Sequence, residues 1–141
     1  MSIDPKFEKV FTNGSLANLA TIKRDGRPQL SIVSYAYDPD TSTFRISVTA
    51  DRAKTANLRR DPRASLLVAG DNRWQYAVAE GTAQLGEIAR EPNDGAADEL
   101  VDLFRTLAGE HPDWDEFREA MVEEGRLVLR VVADRAYGAA G

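Results

Sequence analysis

The chain has 141 residues and a mass of 15.5 kDa, which predicts one domain over residues 1–141. It contains no cysteine and one histidine, which excludes thiolate zinc sites, cysteine nucleophiles and multi-histidine metal sites within one chain. The formal net charge of −5 disfavours a dedicated nucleic-acid-binding protein, because such proteins usually carry a basic face. No apolar run approaches the roughly 20 residues of a membrane span, and the N-terminus lacks the apolar core of a signal peptide, so we expect a cytoplasmic protein.

The first half of the chain is predicted to be mostly β-strand after one short helix. We predict a helix at 6–13 and strands at 16–23, 29–37 and 44–49. Asp25 and Gly26 predict a hairpin between the first two strands with a type I′ turn, in which both residues have positive φ. The second strand places Gln29, Ser31 and Tyr35 on the same face.

The second half adds helices late in the chain. Residues 51–60 predict a helix with Asp51 as its N-cap, ended by Asp61 and Pro62. We predict further strands at 64–69, 74–85 and 126–132, and helices at 96–108 and 114–123. Hairpin-joined strands without an alternating strand–helix–strand pattern indicate an antiparallel barrel with helical additions.

Basic side chains are concentrated at one predicted helix, although the protein as a whole is acidic. Residues 52–63 hold five basic side chains and one acidic, whereas residues 87–124 hold 13 acidic and 3 basic. Arg52 and Lys54 fall in the first turn of the predicted helix, where the helix dipole disfavours cations. Backbone N–H groups, the Thr55 hydroxyl and a bidentate Arg52 contact would suit a phosphate. These residues alone leave two interpretations open, an anion site and cations that extend into solvent.

Several segments resemble the split β-barrel flavin and deazaflavin oxidoreductases, the family that includes pyridoxamine 5′-phosphate oxidase. They are DGRPQLS at 25–31, RAKTANLRRDPRAS at 52–65 and YAVAEGTAQL at 76–85. The closer resemblance is to the actinobacterial branch that uses coenzyme F420, an 8-hydroxy-5-deazaflavin, and HPDWDEFREAM at 111–121 also fits that branch. The resemblance implies a mainly β fold with helices, the FMN-binding type of split antiparallel β-barrel. It also implies a homodimer with the cofactor at the subunit interface.

The resemblance assigns cofactor contacts to five groups of residues. They are Gln29 and Ser31 at the deazaflavin or ribityl part; Ser47, Val48 and Thr49 at the ring system; Arg52 and Lys54, with Thr55 nearby, at the phosphate; Arg59 and Arg60 at the acidic oligoglutamate tail; and Trp74, Tyr76 and Ala77 from the neighbouring subunit. Without the resemblance, the polar strand residues suit a solvated sheet face and the aromatic ones suit core or dimer packing. Ile32 departs from the family pattern, in which we expect a polar residue such as Asn.

The implied activity is hydride transfer from reduced deazaflavin to a small unsaturated acceptor, with the cofactor supplying the chemistry. Tyr35, Tyr37 or water would supply a proton, and the sequence identifies no catalytic residue. Two alternatives stay open: an FMN-dependent oxidoreductase on the same fold, and a non-catalytic protein that binds or carries F420. The cluster of Arg59, Arg60 and Arg63 favours the cofactor with an acidic tail. We expect a small-molecule substrate and neither a nucleic acid nor a membrane as partner.

Overall fold

A computed structural model describes residues 3–72 and 74–140, and its main feature is a seven-stranded antiparallel sheet. The strands are β1 (Leu16–Ile22), β2 (Pro28–Ser34), β3 (Ala36–Asp38), β4 (Thr43–Thr49), β5 (Arg63–Ala69), β6 (Tyr76–Leu85) and β7 (Arg126–Ala139). The helices are α1 (Pro5–Asn13), α2 (Ala53–Arg60), α3 (Gly95–Ala108) and α4 (Trp114–Glu123). The strand order is β2-β1-β5-β6-β7-β4-β3, and the sheet curls into a half-barrel. The predicted fold, a mainly β split antiparallel barrel, is therefore confirmed.

Alternate strand residues point into one hydrophobic core, which α1 covers with Phe7 and Phe11. The Phe11 ring lies 5.1 Å from the ring of Phe44 and 5.4 Å from that of Tyr37, between ring centroids. Full burial of a side chain such as Phe11 stabilises the fold by roughly 1.5–3 kcal/mol. None of the helices in the described part of the chain is long and apolar enough to cross a membrane.

The strand predicted at 29–37 is wrong in one respect, because it breaks at Tyr35. β2 pairs with β1 up to Ser34, whereas β3 pairs with β4 from Ala36. Between them, Tyr35 donates its backbone N–H to the Ser15 carbonyl (2.9 Å) and its hydroxyl to the Phe11 carbonyl (2.6 Å). The chain thus passes at Tyr35 from one edge strand of the sheet to the other.

The β1–β2 hairpin lies where it was predicted, but its turn is not of type I′. Lys23 donates its backbone N–H to the Arg27 carbonyl (2.9 Å) and accepts from the Gly26 N–H (2.9 Å). Gly26 has a φ of +87°, whereas Asp25 is not among the described residues with positive φ. These contacts describe a three-residue loop that ends in a left-handed glycine, the other common form of tight hairpin.

β6 and β7 form a long hairpin whose connection contains α3 and α4. Leu85, the last residue of β6, pairs with Leu129 of β7, and the Gly86 N–H donates to the Val128 carbonyl (3.0 Å). The chain therefore leaves and re-enters the sheet at adjacent positions. Between them, α3 and α4 pack a second, smaller hydrophobic core against Val128.

The last strand is seven residues longer than the predicted 126–132. Ala133 pairs with Gly81, and residues 135–139 pair with β6 beyond a bulge between Glu80 and Gly81. Their sequence, ADRAYGA, lacks the apolar alternation that indicates a half-buried strand, so sequence patterning misses them.

Candidate functional site

The start of α2 carries positive charge that no acidic side chain on the helix balances. The helix begins at Ala53 with Arg52 in the N-cap position, and residues 53–56 include no acid. The predicted Asp51 cap is wrong, because Asp51 lies in a preceding turn in which the Arg52 N–H donates to the Thr49 carbonyl (3.3 Å). Among the described residues no side chain caps α2, so its first N–H groups are open to an anion.

A third cation, Arg126, lies beside Arg52 and Lys54, and sequence analysis missed it. Arg126 is the first residue of β7 and pairs with Thr49 at the end of β4, which places it next to the start of α2. Partial burial lowers the pKa of Lys54, and the positive charges of Arg52 and Arg126 lower it further. Arg126 also forms an ion pair with Glu124 (2.9 Å). A bound anion would therefore relieve repulsion mainly at Arg52 and Lys54.

The hydroxyl groups predicted for the site have different surroundings. The Thr55 side chain is fully buried and donates its hydroxyl to the Thr49 carbonyl (2.8 Å), so the predicted Thr55 donor to a phosphate is wrong. The Thr49 hydroxyl accepts from Arg52 Nε (3.2 Å), and the Ser47 hydroxyl accepts from Arg126 Nη1 (3.3 Å). Ser47 and Thr49 thus position two of the three cations.

The end of β4 offers backbone groups to a ligand. One side of β4 pairs with β7 along its whole length, whereas β3 pairs on the other side only with residues 43–45. In the part of the chain that the structure describes, residues 46–48 therefore have one edge without a strand partner, where backbone groups remain available, whereas the Thr49 carbonyl already accepts from Arg52 and Thr55. The Val48 side chain is buried in the core, so Val48 can contribute only through its backbone.

A basic groove of about 580 Å³ runs between α2 and the β1–β2 turn. Its polar lining includes Lys23, Arg24, Gln29, Arg59 and Arg60. Arg59 donates to the Ala50 carbonyl (3.1 Å), and Arg60 donates to the Ile22 carbonyl (2.7 Å). These acceptors are neutral, so the contacts hold the two guanidinium groups in place and leave their positive charge. The structure thus brings Gln29, Arg59 and Arg60 together and adds Lys23 and Arg24.

The side-chain hydroxyl of Ser31 is buried. Its Oγ finds no hydrogen-bond partner within residues 3–72 and 74–140. A buried polar group left in this state costs roughly 1–3 kcal/mol. Because Ser31 follows Gln29 by two residues on one strand, both side chains point to the same face of β2. An unsatisfied hydroxyl beside the basic groove fits a polar ligand group.

Arg63 does not belong to the basic groove. It forms an ion pair with Asp61 (2.7 Å), and this contact lowers the pKa of the Asp61 carboxyl to about 2. Its side chain lines a different depression, formed with residues of β1, β6 and β7. The predicted contribution of Arg63 to an acidic-tail contact is therefore wrong.

The three residues predicted to come from a neighbouring subunit differ in exposure. Trp74 is 79% exposed and Tyr76 is 37% exposed, so both side chains reach the surface. Ala77 is fully buried in the main core. Ala77 could therefore contribute to a second copy only through its backbone, and its contact stays a prediction.

An apolar strip crosses the outer face of the sheet. Strand register aligns Ile32, Asn18, Leu67, Val78 and Tyr137 in one row across five strands. Ile32 is 73% exposed and Tyr137 is 51% exposed. Exposed apolar side chains along this row are thus separated by the polar Asn18 and the buried Val78. We call this row the outer strip.

The two tyrosines predicted as proton sources use their hydroxyl groups in hydrogen bonds within the fold. Tyr35 donates its hydroxyl to the Phe11 carbonyl, and burial raises its pKa above the usual range. Tyr37 donates to Glu8 Oε1 (3.1 Å), and burial together with neighbouring acids raises its pKa to about 12. Both rings pack against Phe44 in the core. Both hydroxyl groups thus already donate within the fold, which favours water as the predicted proton source.

Comparison with solved structures shows the same fold in proteins that bind different cofactors. An F420 reductase is 23% identical, with a TM-score of 0.70, over 95% of this chain and 98% of that one. A FAD-binding protein from Mesorhizobium loti is 20% identical, with a TM-score of 0.64, over 92% of this chain and 88% of that one. A heme storage protein from Vibrio cholerae is 13% identical, with a TM-score of 0.67, over 98% and 95%. The sequence profile of pyridoxamine 5′-phosphate oxidase matches residues 3–138, and the chain therefore belongs to that family.

Proposed function

We propose that the protein is a coenzyme F420-dependent oxidoreductase that transfers a hydride from reduced deazaflavin to a small unsaturated acceptor. The observation that carries this proposal is the cationic start of α2, where Arg52, Lys54 and Arg126 meet open helix N–H groups. Membership of an oxidoreductase family supports it, and the same fold occurs in an F420 reductase. The cytoplasmic location stays a prediction.

The residues fit a cofactor that has a phosphate and an extended acidic tail. Arg52 and Lys54 would hold the phosphate, because charge-assisted hydrogen bonds are the stronger kind. The Ser31 hydroxyl and the Gln29 amide would bind polar groups of the ribityl chain or the ring, and the free edge of β4 would bind the ring. When bound, reduced deazaflavin supplies a hydride to an electron-poor carbon. Because the hydroxyl groups of Tyr35 and Tyr37 already donate hydrogen bonds within the fold, we assign the accompanying proton to solvent.

The basic groove favours F420 over FMN. FMN ends at its phosphate and would leave Lys23, Arg24, Arg59 and Arg60 without an anionic partner. An oligoglutamate tail that continues past the phosphate would place carboxylates in this groove. FMN remains the alternative, because the start of α2 suits any phosphate-bearing cofactor. A carrier that binds F420 without turnover is the second alternative, since the interior tyrosines provide no proton donor.

We propose that the protein forms a homodimer through the outer strip, with the cofactor at the interface. Trp74 and Tyr76 are exposed beside this face of the sheet and would reach the second copy. The departure at Ile32, where a polar residue was expected, lies in the same strip. A second copy of the same face would bury Ile32 and Tyr137 together, which accounts for apolar residues on an open sheet surface.

The test of function is a paired titration of the purified protein with F420 and FMN, followed by ligand fluorescence. We expect tighter binding of F420, and we expect K23A/R24A to weaken F420 while leaving FMN binding unchanged. FMN therefore serves as the tail-free control for each variant. Preference for FMN would move the protein to the flavin branch, and binding of neither ligand would refute the cofactor assignment. Tight F420 binding without turnover across a panel of unsaturated acceptors would identify a carrier.

A further inference from the structure

A second pocket, of about 250 Å³, lies between α3, α4 and the start of β7. Its apolar walls are Leu100, Leu103, Phe104, Leu107, Phe117 and Met121. Leu107 is 37% exposed, so the pocket reaches solvent. Open pockets with apolar walls favour apolar ligands, because binding removes those walls from water. We call this space the helical pocket.

Polar groups of the helical pocket come from Ser47, Glu124 and Arg126. Arg126 Nε donates to Glu124 Oε1 (2.9 Å), and Arg126 Nη1 donates to the Ser47 hydroxyl (3.3 Å). These contacts fix the guanidinium at the pocket, while Nη2 makes no hydrogen bond within the described residues. A fixed guanidinium nitrogen beside an apolar space can bind an anionic head group.

The charge around the helical pocket favours an anion over a neutral or cationic head group. Arg126 and Glu124 balance each other, but Lys54 lies close enough to Arg126 for their charges to interact. The local balance is therefore positive. A carboxylate would meet a favourable potential here, and an ammonium group would not.

The volume limits the size of a ligand. Sites for drug-sized molecules occupy about 300–1,000 Å³, so 250 Å³ suits a smaller body. An apolar cavity of about 150 Å³ accepts benzene, so one aromatic ring or a short aliphatic chain together with a carboxylate fits in this space. The apolar walls exclude small hydrophilic anions as the preferred ligand, because these would leave the walls in contact with water.

We propose that the helical pocket binds a small aromatic or aliphatic carboxylate. The apolar body lies against α3 and α4, and the carboxylate accepts hydrogen bonds from Arg126 Nη2 and the Ser47 hydroxyl. This proposal is independent of the hydride chemistry, because it requires neither cofactor nor turnover. The ligand acts there as an effector that is separate from the hydride acceptor.

The test uses Trp114 as a fluorescent reporter. Its ring lies 5.8 Å from the ring of Phe104 and 5.5 Å from that of Phe117, both of which line the pocket. Because the chain has two tryptophans, a Trp74→Phe background leaves Trp114 as the sole reporter. Benzoate is titrated beside acetate, which lacks the apolar body, and benzyl alcohol, which lacks the charge. We expect benzoate to bind at least about tenfold more tightly than either.

Two variants locate the binding. Leu107→Phe fills the apolar space and should abolish benzoate binding, whereas Arg126→Gln should remove the preference for benzoate over benzyl alcohol. Arg90→Gln is the charge-matched control, since Arg90 is exposed and lines a different depression. Circular dichroism checks that each variant is folded. Benzoate binding no tighter than that of acetate, or equal weakening by Arg90→Gln and Arg126→Gln, would overturn the proposal.

Discussion

Replacing Arg52 and Lys54 at the start of α2 by alanine tests whether they bind a cofactor or stabilise the fold. In R52A/K54A the cofactor phosphate loses two charge-assisted contacts, worth roughly 1.5–3 kcal/mol each. Arg52 is exposed, which reduces its share, and Arg126 remains nearby. A loss of about 3 kcal/mol corresponds to F420 binding at least about a hundredfold weaker.

The same change should not destabilise the protein without its cofactor. The pKa of Lys54 is lowered by burial and by Arg52 and Arg126, so the folded state disfavours its charged form. A pKa lower in the folded than in the unfolded state means that the charged lysine opposes folding at neutral pH, and that this cost disappears as pH rises towards the unfolded value. Replacement by alanine removes the cost. As the pH rises, Lys54 should lose its positive charge at a lower pH than an ordinary lysine does. The F420 affinity of the parent should therefore begin to decline at that lower pH.

The assay is F420 titration by fluorescence, paired with urea unfolding of the cofactor-free protein. The control variant R63A/R90A removes the same amount of charge away from α2 and should bind F420 like the parent. Equal F420 affinity in R52A/K54A and in the parent would refute the phosphate assignment. A large loss of stability in R52A/K54A would show that the two cations serve the fold.

Three further predictions concern the core, the surface and the bulge. Tyr35→Phe should lower the free energy of unfolding by about 1–3 kcal/mol in urea, because the buried Phe11 carbonyl loses its donor, and should leave F420 affinity unchanged. Ile32→Arg places a charge in the outer strip and should convert a dimer to a monomer by light scattering at micromolar concentration. Gly81→Ala should cost about 1–3 kcal/mol of stability, because a Cβ there would collide with the Val132 backbone.

Each of these predictions has a matched comparison. Ser34→Phe tests whether substitution beside Tyr35, at an exposed site, has the same effect on unfolding. A parent protein that is already monomeric would rule out both the dimer and the cross-subunit roles of Trp74 and Tyr76. Gly95→Ala adds a Cβ where no heavy atom lies within 4 Å, so it should change stability little, and an equal loss at both glycines would contradict the steric argument.

Local patterning was enough to predict most elements of the fold. The helix at 114–123 has the predicted bounds, because Asp113 accepts from the Glu116 N–H (3.1 Å) as an N-cap should. The β1–β2 hairpin followed from two residues in its turn. Such features depend on neighbours in sequence, which a pattern can display.

What sequence analysis missed depends on residues far apart in the chain. Arg126 reaches the start of α2 only through its pairing with Thr49, and the break at Tyr35 exists because the strands on either side join opposite edges of the sheet. The burial of Thr55 likewise follows from the turn at Thr49 rather than from its own neighbours. The apolar periodicity along the chain does not indicate which distant residues come together.

The position at which α3 and α4 leave the sheet has a consequence for how this protein can diversify. Because the Ala89 N–H donates to the Arg126 carbonyl (2.9 Å), the segment between these two residues begins and ends at adjacent positions. Its length and composition can change while β6 and β7 keep their register and Arg126 keeps its place beside α2. The apolar walls of the helical pocket belong to this replaceable segment, whereas Ser47, Arg126 and the start of α2 lie outside it. The ligand preference of the pocket can therefore differ between relatives that share the same phosphate contacts.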